Sequence, residues 1–349
     1  MSLPFEPPIK PMLSAPAATI PSGDGWLYEP KWDGFRAIVF WDGNELFIQS
    51  REARPLGRYF PDLVAGIPPQ LSQPCVLDGE IVIATSDGLD FGLLQQRVHP
   101  AASRVQRLAS ETPASFAAFD LLALGDADLR ARSFEERRGA LETLLERAEL
   151  PVLLTAATSD AARAADWFVR FEGAGFDGVI AKRLELPYAE GERAMVKVKH
   201  RRTADCVVGG FRWYKNEVDV GIGSLLLGLY DEDGVLHHIG HTSTFTRAQR
   251  RELLPLLEEY RTDDSSVSFG GGRTPGGISR WTGDRDTDWV RLRPELVCEV
   301  AFDQMQGDRL RHGSTFMRWR TDKAPESCGY DQLVAAVPAE FEEAFGRRR

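Results

Sequence analysis

Short runs in which apolar and polar residues alternate fill much of the first 200 residues, and this alternation is the pattern of β-strands. Two such runs, FRAIVFW and ELFIQS, flank Asp42-Gly43-Asn44. An Asp-Gly pair between two apolar runs predicts a β-hairpin. Further strands are predicted for WLYEPK, CVLDGEIVIA, FAAFDLLAL, FDGVIAK and AMVKVK. The segment before Trp26 is rich in proline and is predicted to be irregular.

Two segments of the same region have the helical repeat instead. Leucines recur at helical spacing within Ser133–Glu149, and Ser133-x-x-Glu136 at its start is a capping-box signature. The second segment, DAARAADWFVRFEGAG, ends at a glycine, as many helices do. We therefore expect helices beside the predicted strands in this part of the chain.

The pattern changes at HRRTAD (His200–Asp205), where charged residues replace the alternation of apolar and polar residues. We therefore predict a domain boundary here, with one domain at residues 1–200 and the other at residues 201–349. One helix, RAQRRELLPLLEEY, interrupts five short strand-like runs: CVVGGFRWY, GSLLLGLYD, VLHHIGHT, ELVCEVAF and STFMRWR. Five short strands with one inserted helix favour an OB-fold barrel, although short strands also form sandwiches. The Gly/Ser-rich stretch Asp263–Gly277, which contains Arg273, is predicted to be a loop.

Length and composition fit a soluble protein of two domains. At 349 residues, with 43% hydrophobic and 27% charged residues, the chain exceeds a typical single domain of roughly 100–150 residues. No apolar run approaches the ~20 residues of a membrane-spanning helix, and the N-terminus lacks a signal-peptide pattern. Cys75, Cys206, Cys298 and Cys328 are widely spaced, which favours free thiols over disulfides or zinc. We therefore expect a cytoplasmic protein without a membrane partner.

The formal net charge of −10 argues, taken alone, against a nucleic-acid-binding protein. The basic residues, however, are concentrated in two stretches. The first contains Arg193, Lys197, Lys199, Arg201, Arg202, Arg212 and Lys215, and the second contains Arg309, Arg311, Arg318, Arg320 and Lys323. Solvated charged faces explain most such runs, but a basic face on an acidic body also fits this distribution.

Lys31 has an unusual position, between Pro30 and Trp32 at the end of one predicted strand and just before the next. A lysine is nucleophilic only when it is neutral, and desolvation or neighbouring positive charge favours the neutral form. The α-phosphorus of a nucleotide is an electrophile that suits such an amine and gives a phosphoramidate. This reaction needs cations around the phosphates, carboxylates for Mg²⁺ and an aromatic ring beside the base.

The first domain supplies these groups close to predicted strand ends. Glu80 in LDGE and Asp177 in FDGV are predicted to lie at turns, and Lys182 follows five residues after Asp177. Lys197 and Lys199 alternate with valines, so both side chains point to one face of a strand. The second aromatic residue of FAAFDLL either stacks on a purine or packs in the core.

In this order, the motifs resemble those of the covalent nucleotidyltransferases, in particular the small bacterial C-type ATP-dependent DNA ligases. The resemblance covers nearly the whole chain through KWDGFR, LDGEIV, FAAFDLL, FDGVIAK, MVKVK and RHGSTFMRWRTDK. Asp177 stands where the family more often has Glu, and Met195 stands where many relatives have Trp. The resemblance implies an α+β fold: an adenylation domain of antiparallel sheets with flanking helices, followed by an OB-fold β-barrel domain.

The resemblance also implies a role for each matching residue. Lys31 is expected to carry AMP, and Glu80 and Asp177 are expected to hold Mg²⁺. The expected ATP contacts are Glu29 to the adenine amino group, Arg36 and Arg51 near the ribose and phosphates, Glu80 to the ribose hydroxyls, Phe119 stacked on adenine, Lys182 as a further nucleotide contact, Lys197 and Lys199 to the α-phosphate, and Arg318, Arg320 and Lys323 to the β- and γ-phosphates.

The implied activity is ATP-dependent sealing of nicked double-stranded DNA. Lys31 attacks ATP and releases pyrophosphate, AMP passes to the 5′-phosphate of the nick, and the 3′-hydroxyl then displaces AMP. The implied cofactors are ATP, held as covalent AMP, and Mg²⁺. The implied enzyme is a monomer associated with the nucleoid, with repair polymerases as further candidate partners. HRRTAD is expected to be a flexible hinge between the two domains.

The sequence leaves alternatives from the same and from another functional class. An RNA ligase and a capping-type enzyme that uses GTP share this chemistry, although the position of Glu29 favours adenine. A nucleic-acid-binding scaffold with an inactive catalytic half would have lost its nucleophile or its cations, and the sequence retains both.

The HHIGH segment has a spacing that suggests a metal site. In a regular extended strand, neighbouring side chains point to opposite faces, so His241 would share a face with His237 and not with His238. We therefore do not expect these histidines to bind a metal.

Overall fold

The structure, a computed structural model, describes residues 3–86, 88–172, 174–200, 202–216, 220–264, 269–270, 275 and 288–333. The chain forms two compact units, of which the first runs up to His200 and the second comprises residues 201–334. Arg201 of the predicted hinge and most of the predicted loop Asp263–Gly277, with Arg273, lie outside the described residues. The domain limits 1–200 and 201–349 stay a prediction. Among the described residues, no helix is both long and apolar enough to cross a membrane.

The first unit combines strands and helices. Its strands are β1 (Leu13–Ala17), β2 (Trp26–Pro30), β3 (Phe35–Trp41), β4 (Leu46–Ser50), β5 (Cys75–Val82), β6 (Ala84–Thr85), β7 (Gly88–Leu89), β8 (Ser115–Leu124), β9 (Ala127–Asp128), β10 (Val152–Leu154), β11 (Gly178–Arg183) and β12 (Arg193–Lys199). Its helices are α1 (Pro61–Gly66), α2 (Phe91–Gln96), α3 (Ala102–Glu111), α4 (Phe134–Leu144) and α5 (Ala161–Arg170).

Two sheets form the frame of the first unit. The strand order is β10-β8-β5-β3-β4 in one, with β9 beside β8, and β1-β12-β11-β2 in the other. Neighbouring strands are antiparallel except in the pairs β8–β10 and β1–β12. Val39, Leu77 and Leu121 of the larger sheet are completely buried. The predicted hairpin is confirmed as the antiparallel pair β3–β4.

Residues 31–34 carry the chain from one sheet to the other, because β2 belongs to the smaller sheet and β3 to the larger. A Cβ atom at Gly34 would lie 2.1 Å from the carbonyl oxygen of Ile81, so only glycine fits this crossing. The backbone N–H of Lys31 donates to the carbonyl oxygen of Gly178, and its own carbonyl accepts from the N–H of Asp177, both at 2.9 Å. These bonds fix Lys31 beside Asp177.

The strand predicted for CVLDGEIVIA is present as β5 (Cys75–Val82), and the turn predicted inside it at Glu80 is wrong. β5 continues through this residue from Cys75 to Val82, and the Asp78-Gly79 pair coincides only with an irregularity in the pairing of β5 with β8. Backbone hydrogen bonds to β3 and β8 on both sides hold the segment extended through the Asp78-Gly79 pair, which taken alone signals a turn.

The segment before Trp26 is also more regular than predicted. Leu13–Ala17 forms β1, which pairs in parallel with β12 at the edge of the smaller sheet. An edge strand tolerates Pro16 because one side of it donates no hydrogen bonds to the sheet. LSAPA has no apolar alternation, so the pattern could not indicate this strand.

The helix at Ser133 begins as predicted and ends earlier. Ser133 and Glu136 form a capping box, in which each side chain accepts a hydrogen bond from the other residue's backbone N–H. The helix ends at Leu144 rather than Glu149. Leu145 is buried in the core, and the chain turns there to enter β10, which pairs with β8.

In its described residues, the second unit has five long strands that form a barrel, and a helix is inserted between the third and the fourth of these. Its elements are β13 (Arg202–Trp213), β14 (Ile222–Tyr230), β15 (Leu236–Thr242), α6 (Arg247–Glu258), β16 (Val290–Arg291), β17 (Val297–Phe302), β18 (Met305–Gln306), β19 (Arg309–Leu310) and β20 (Thr315–Trp319). The order β15-β14-β13-β17-β20 is closed by a bridge between Thr242 and Ser314, next to the start of β20. These five long strands and α6 are the elements that the sequence predicted.

A bulge in β15 overturns the expected arrangement of the histidines. Gly228 of β14 pairs with His238 and Leu227 pairs with Gly240, so Ile239 is the extra residue. An extra residue reverses the alternation of faces, which brings His238 and His241 to the same side. His237 lies on another side, where its Nε2 is 2.6 Å from Asp231 Oδ2.

Candidate active site

A cleft of about 290 Å³ opens in the first unit beside the crossing at Lys31. It brings together nine of the residues predicted for the site: Glu29, Lys31, Arg36, Arg51, Glu80, Phe119, Lys182, Lys197 and Lys199. Leu13 and Ser14 of β1 complete part of the wall, so the segment predicted to be irregular also contributes to the cleft.

Lys31 and Lys199 share one carboxylate oxygen. Asp177 Oδ2 lies 2.5 Å from Lys31 Nζ and 3.0 Å from Lys199 Nζ, and the Asp177 side chain is 7% exposed. Burial alone would raise the pKa of Asp177, but the charges and hydrogen bonds of Lys31 and Lys199 outweigh burial and lower it. Asp177 is therefore an anion at neutral pH and holds both amines at the cleft.

Lys197 adds a third amine to this group. Burial lowers its pKa, and so do the positive charges of Lys199, Lys31, Arg193 and Arg51. Such a group of cations repels a further cation and attracts an anion with several negative charges. This end of the cleft is therefore suited to the phosphates of a nucleotide.

Glu80 lies opposite Arg36 in the pairing of β5 with β3. Burial raises the pKa of Glu80 to about 7, although the charges of Lys31 and Arg36 act in the opposite direction. A hydroxyl group or a cation that binds here would interact with a carboxyl group that titrates near neutral pH.

Glu80 and Asp177 are two carboxylates close to the amine of Lys31. Among the described residues, no group of three or more His, Cys, Asp and Glu side chains is arranged to hold a metal ion. Mg²⁺ commonly binds proteins through one or two carboxylates and takes its other ligands from water and phosphate oxygens. Two carboxylates beside a phosphate-binding group therefore fit Mg²⁺ that arrives with a nucleotide.

Phe119 contributes an aromatic ring to the cleft. Its centroid is 5.0 Å from the guanidinium carbon of Arg36 and 4.6 Å from Nζ of Lys182. Lys182 also donates to the carbonyl oxygen of Phe119 at 3.0 Å. The ring is half-buried and lines the cleft, so it lies where a flat base can stack.

Glu29 is held by two cations. Lys182 Nζ lies 2.8 Å from Glu29 Oε2, and an Arg138 nitrogen lies 3.3 Å from Glu29 Oε1. Glu29 is 2% exposed, and Arg138 also donates to the carbonyl oxygen of Thr155 at 2.7 Å. Sequence analysis missed Arg138 because it lies on α4, over 100 positions from Glu29, without a motif of its own.

Arg36 is oriented by a chain of buried contacts that the sequence also did not indicate. Two of its nitrogens lie 2.9 and 2.6 Å from the two carboxylate oxygens of Asp78. The hydroxyl of Tyr188 donates to Asp78 at 2.6 Å and accepts from the backbone N–H of Met12 at 3.0 Å. The sequence signal for this contact was Asp78 within the predicted strand CVLDGEIVIA. An aspartate that is fully buried, as Asp78 is, needs a cationic or hydrogen-bonding partner.

The predicted residues of the second unit lie in ion pairs at the end of β20. One nitrogen of Arg320 is 2.8 and 2.9 Å from the two oxygens of Asp205, and Lys323 Nζ is 3.1 Å from Asp205 Oδ2. Arg320 also binds Asp322 at 2.8 Å, which raises the pKa of Arg320 and lowers that of Asp322. Arg318 is 62% exposed and binds Glu299 at 2.7 Å.

The chain matches the ATP dependent DNA ligase domain over residues 11–199 and the ATP dependent DNA ligase C terminal region over residues 219–323. DNA ligase C of Mycobacterium tuberculosis is 52% identical over 345 residues, which cover 95% of this chain and 96% of that protein. DNA ligase C2 of Mycolicibacterium smegmatis is 50% identical over 343 residues, with the same coverage of both chains.

A solved Lig E DNA ligase, studied for DNA binding with a minimal scaffold, has the same fold. It superposes with a TM-score of 0.55 at 19% identity and covers 89% of this chain and 100% of its own. The expected α+β fold, with an adenylation domain followed by an OB-fold barrel, is thereby confirmed. The chain belongs to the family of ATP-dependent DNA ligases, among the bacterial C-type enzymes.

Proposed function

We propose that Lys31 is the residue to which this ATP-dependent DNA ligase attaches AMP. Lys31 first loses one proton from its ammonium group. Its Nζ then forms a bond to the α-phosphorus of ATP as the bond from that phosphorus to pyrophosphate breaks, and a second proton leaves the nitrogen when the phosphoramidate forms. The observation that carries the proposal is the position of Lys31 in the cleft. Its side chain is 19% exposed, and its Nζ lies 2.5 Å from the Asp177 carboxylate, which also binds Lys199.

The neighbouring cations stabilise the charge on the phosphate oxygens during this step. Lys197, Lys199 and Arg51 line the same cleft as Lys31. Fixed positive charges that face the developing negative charge lower the barrier of a phosphoryl-type transfer. An entering phosphate also offers Lys199 an anionic partner other than Asp177, which loosens the shared contact and frees Lys31.

The other end of the cleft binds adenine. Phe119 provides the stacking face, and Glu29 accepts a hydrogen bond from the exocyclic amine, which guanine lacks at that position. Lys182 and Arg138 hold the Glu29 carboxylate in place at 2.8 and 3.3 Å. A site built in this way favours ATP over GTP.

Glu80 and Asp177 are the residues proposed to hold Mg²⁺. When bound, the ion neutralises phosphate charge and polarises the bonds to the phosphate oxygens. Glu80 also contacts the ribose hydroxyls in this proposal. Arg36 and Arg51 bind near the ribose and phosphates, with Arg36 oriented by Asp78.

In the second domain, Arg318, Arg320 and Lys323 are proposed to contact the β- and γ-phosphates of ATP in the first step. Arg320 and Lys323 share Asp205 as an anionic partner in this structure. A pyrophosphate group offers more negative charge than one carboxylate, so it competes for both cations.

The substrate in this proposal is nicked double-stranded DNA with a 3′-hydroxyl and a 5′-phosphate. AMP moves from Lys31 to the 5′-phosphate, and the 3′-hydroxyl then displaces AMP and closes the strand. The test is gel-based sealing of a nicked DNA duplex beside a nicked RNA duplex, after labelling with α-³²P ATP or GTP. Labelling by ATP and sealing of DNA support the proposal. Labelling by GTP alone or sealing of RNA alone contradicts it.

The cellular setting remains part of the proposal. A monomer associated with the nucleoid, with repair polymerases as partners, is consistent with a DNA substrate. Size-exclusion chromatography with light scattering measures the oligomeric state. Co-purification of the full chain with and without nuclease treatment distinguishes a direct polymerase partner from a protein held on the same DNA.

A further inference from the structure

Tyr188 contacts two ion pairs of the first unit whose carboxylates are buried. The carboxylates belong to Asp78 and Asp120, which face each other in the pairing of β5 with β8 and are 0% and 1% exposed. Arg36 binds Asp78, and Arg137 binds Asp120 at 2.8 and 3.0 Å. The Tyr188 hydroxyl donates to Asp78 at 2.6 Å, and its ring centroid is 5.7 Å from the guanidinium carbon of Arg137.

The contact with Tyr188 involves the same Asp78 oxygen that Arg36 binds most closely. Oδ1 of Asp78 accepts from Nε of Arg36 at 2.9 Å. Oδ2 accepts from Nη2 of Arg36 and from the Tyr188 hydroxyl, both at 2.6 Å. A buried carboxylate has lost its hydration, so its orientation depends on the donors that replace water. Tyr188 therefore helps to fix the carboxylate that holds Arg36.

The Tyr188 hydroxyl is itself held in place by the backbone. It accepts a hydrogen bond from the N–H of Met12, just before β1, at 3.0 Å. Burial and the charge of Asp78 raise the pKa of Tyr188, so the hydroxyl keeps its proton at neutral pH. A hydroxyl that accepts from a fixed N–H directs its own proton to the other partner, which is Asp78.

The orientation of Arg36 matters because this side chain lines the cleft, with its guanidinium carbon 5.0 Å from the Phe119 ring centroid. Two nitrogens bound to one carboxylate fix the plane of the guanidinium group. Displacement of a positioned group by about 1 Å can slow a reaction about 100-fold. Tyr188 is 5% exposed, so its hydroxyl can influence a nucleotide in the cleft through Asp78 and Arg36.

We propose that Tyr188 is a positioning residue for self-adenylation. Its hydroxyl fixes Asp78, Asp78 fixes Arg36, and Arg36 binds the nucleotide. This inference rests on the proposed function, because it takes Arg36 as a contact of ATP. Tyr188 lies between FDGVIAK and MVKVK, outside the motifs that carry the family resemblance.

The test measures the apparent second-order rate constant of self-adenylation of the full-length protein from α-³²P ATP. Tyr188→Phe keeps the ring and removes the hydroxyl, and it is expected to lower this constant roughly tenfold. Arg36→Gln is expected to lower it roughly 100-fold. The double variant is expected to equal Arg36→Gln, because Tyr188 acts through Arg36. Losses that multiply to roughly 1,000-fold would show an independent effect of Tyr188 and would overturn the proposal.

Asp78→Asn examines the middle of this chain of contacts. Alone, it is expected to slow self-adenylation at least as much as Tyr188→Phe. Combined with Arg36→Gln it leaves no unpaired charge in the buried pair, so this double variant is expected to fold. It is expected to be as slow as Arg36→Gln and no slower. A further loss in the double variant would contradict the proposed route from Tyr188 to Arg36.

Tyr28→Phe is the matched control. Tyr28 is 0% exposed, and its hydroxyl donates to the carbonyl oxygen of Pro21 at 2.7 Å. Its removal also deletes one buried hydrogen bond of a tyrosine, so the melting temperature is expected to fall as in Tyr188→Phe. Self-adenylation, measured below both melting temperatures, is expected to stay within about twofold of the wild type. Equal slowing by both substitutions would show a general loss of packing and would overturn the proposal.

The same measurements separate this inference from the function on which it rests. If Arg36→Gln forms the adduct at the wild-type rate, the proposed contact of Arg36 with ATP fails, and the role of Tyr188 fails with it. If Arg36→Gln is slow and Tyr188→Phe matches the wild type, the contact of Arg36 stands and the positioning role of Tyr188 alone is refuted.

Discussion

The ammonium group of Lys31 lies 2.5 Å from Oδ2 of Asp177, the same oxygen that Lys199 approaches at 3.0 Å. This relationship explains the unusual position of the lysine in the sequence. The residues after it are confined by the crossing between two sheets, and Asp177 is bonded to it through both backbone and side chain. The Asp177 carboxylate offsets part of the repulsion between the amines of Lys31 and Lys199.

We predict that Asp177→Asn slows self-adenylation by roughly 100-fold, as expected when one preorganised charge is removed from a phosphoryl-transfer site. An amide cannot balance Lys31 and Lys199, so their orientation is lost. Asp177→Glu restores the charge and is expected to retain most of the activity, as suits the residue more common at this motif position. The measurement is the single-turnover rate of adduct formation from α-³²P ATP. Equal rates in wild type and Asp177→Asn would contradict the role of this charge.

We predict that Glu80 makes the free energy of unfolding depend on pH between about 4.5 and 7. Its pKa is about 7 in the folded protein, against 4.5 for an isolated glutamate side chain, so the folded state binds more protons in this range. The contribution of protonated Glu80 to the free energy of unfolding is present at low pH and is lost as the pH rises through 7. Its size is of the order of 1–3 kcal/mol.

Glu80→Gln should therefore reduce the dependence of the free energy of unfolding on pH. The variant is expected to be more stable than the wild type at pH 8, because it does not bury a charge, and to differ little from it at pH 5. Urea unfolding at both pH values, without nucleotide or Mg²⁺, gives the two differences. A constant difference at both pH values would argue against titration of Glu80.

We predict that Arg320→Gln and Lys323→Gln slow adduct formation at Lys31 and spare the sealing of a nick that already carries 5′-linked AMP. The reason is that the β- and γ-phosphates are present only in the first step. The matched control is Arg261→Gln, an exposed arginine of the same domain paired with Glu258. Equal losses in both assays would place Arg320 and Lys323 on DNA.

We predict that nick sealing falls steeply as NaCl rises through physiological strength, whereas self-adenylation changes far less. Contacts with DNA phosphates release counterions and so depend on salt, and the first step involves no DNA. The cationic residues around Lys199–Lys215 are proposed to supply such contacts. Parallel decline of both activities would show that salt acts on the nucleotide site or on the fold.

The sequence predicted the parts of this molecule that local chemistry determines. The capping box at Ser133 and Glu136 and the five strands of the barrel follow from short-range patterns, and all are present. The convergence of Lys31, Glu80 and Phe119 on one cleft was inferred through a family resemblance, since their spacing alone does not bring them together.

The missed features depend on contacts distant in sequence. β1 forms because it pairs with β12 at the edge of the smaller sheet. Arg138 can bind Glu29 because α4 packs against β8 of the larger sheet. The bulge at Ile239 places His241 on the side of His238 instead of the predicted side of His237. The patterns within these segments do not predict an edge strand, a long-range ion pair or a bulge, because the residues that pair with each segment lie elsewhere in the chain.

The measurement that tests the central claim most directly is peptide mapping of the adduct after incubation with ATP and Mg²⁺, for the wild type and Lys31→Ala. We predict AMP on the peptide that contains Lys31 in the wild type and no adduct anywhere in the variant. Lys31→Ala should still seal a pre-adenylated nick at a reduced rate, which shows that it is folded. Covalent AMP on the variant, or on Lys197 or Lys199 of the wild type, would contradict the assignment.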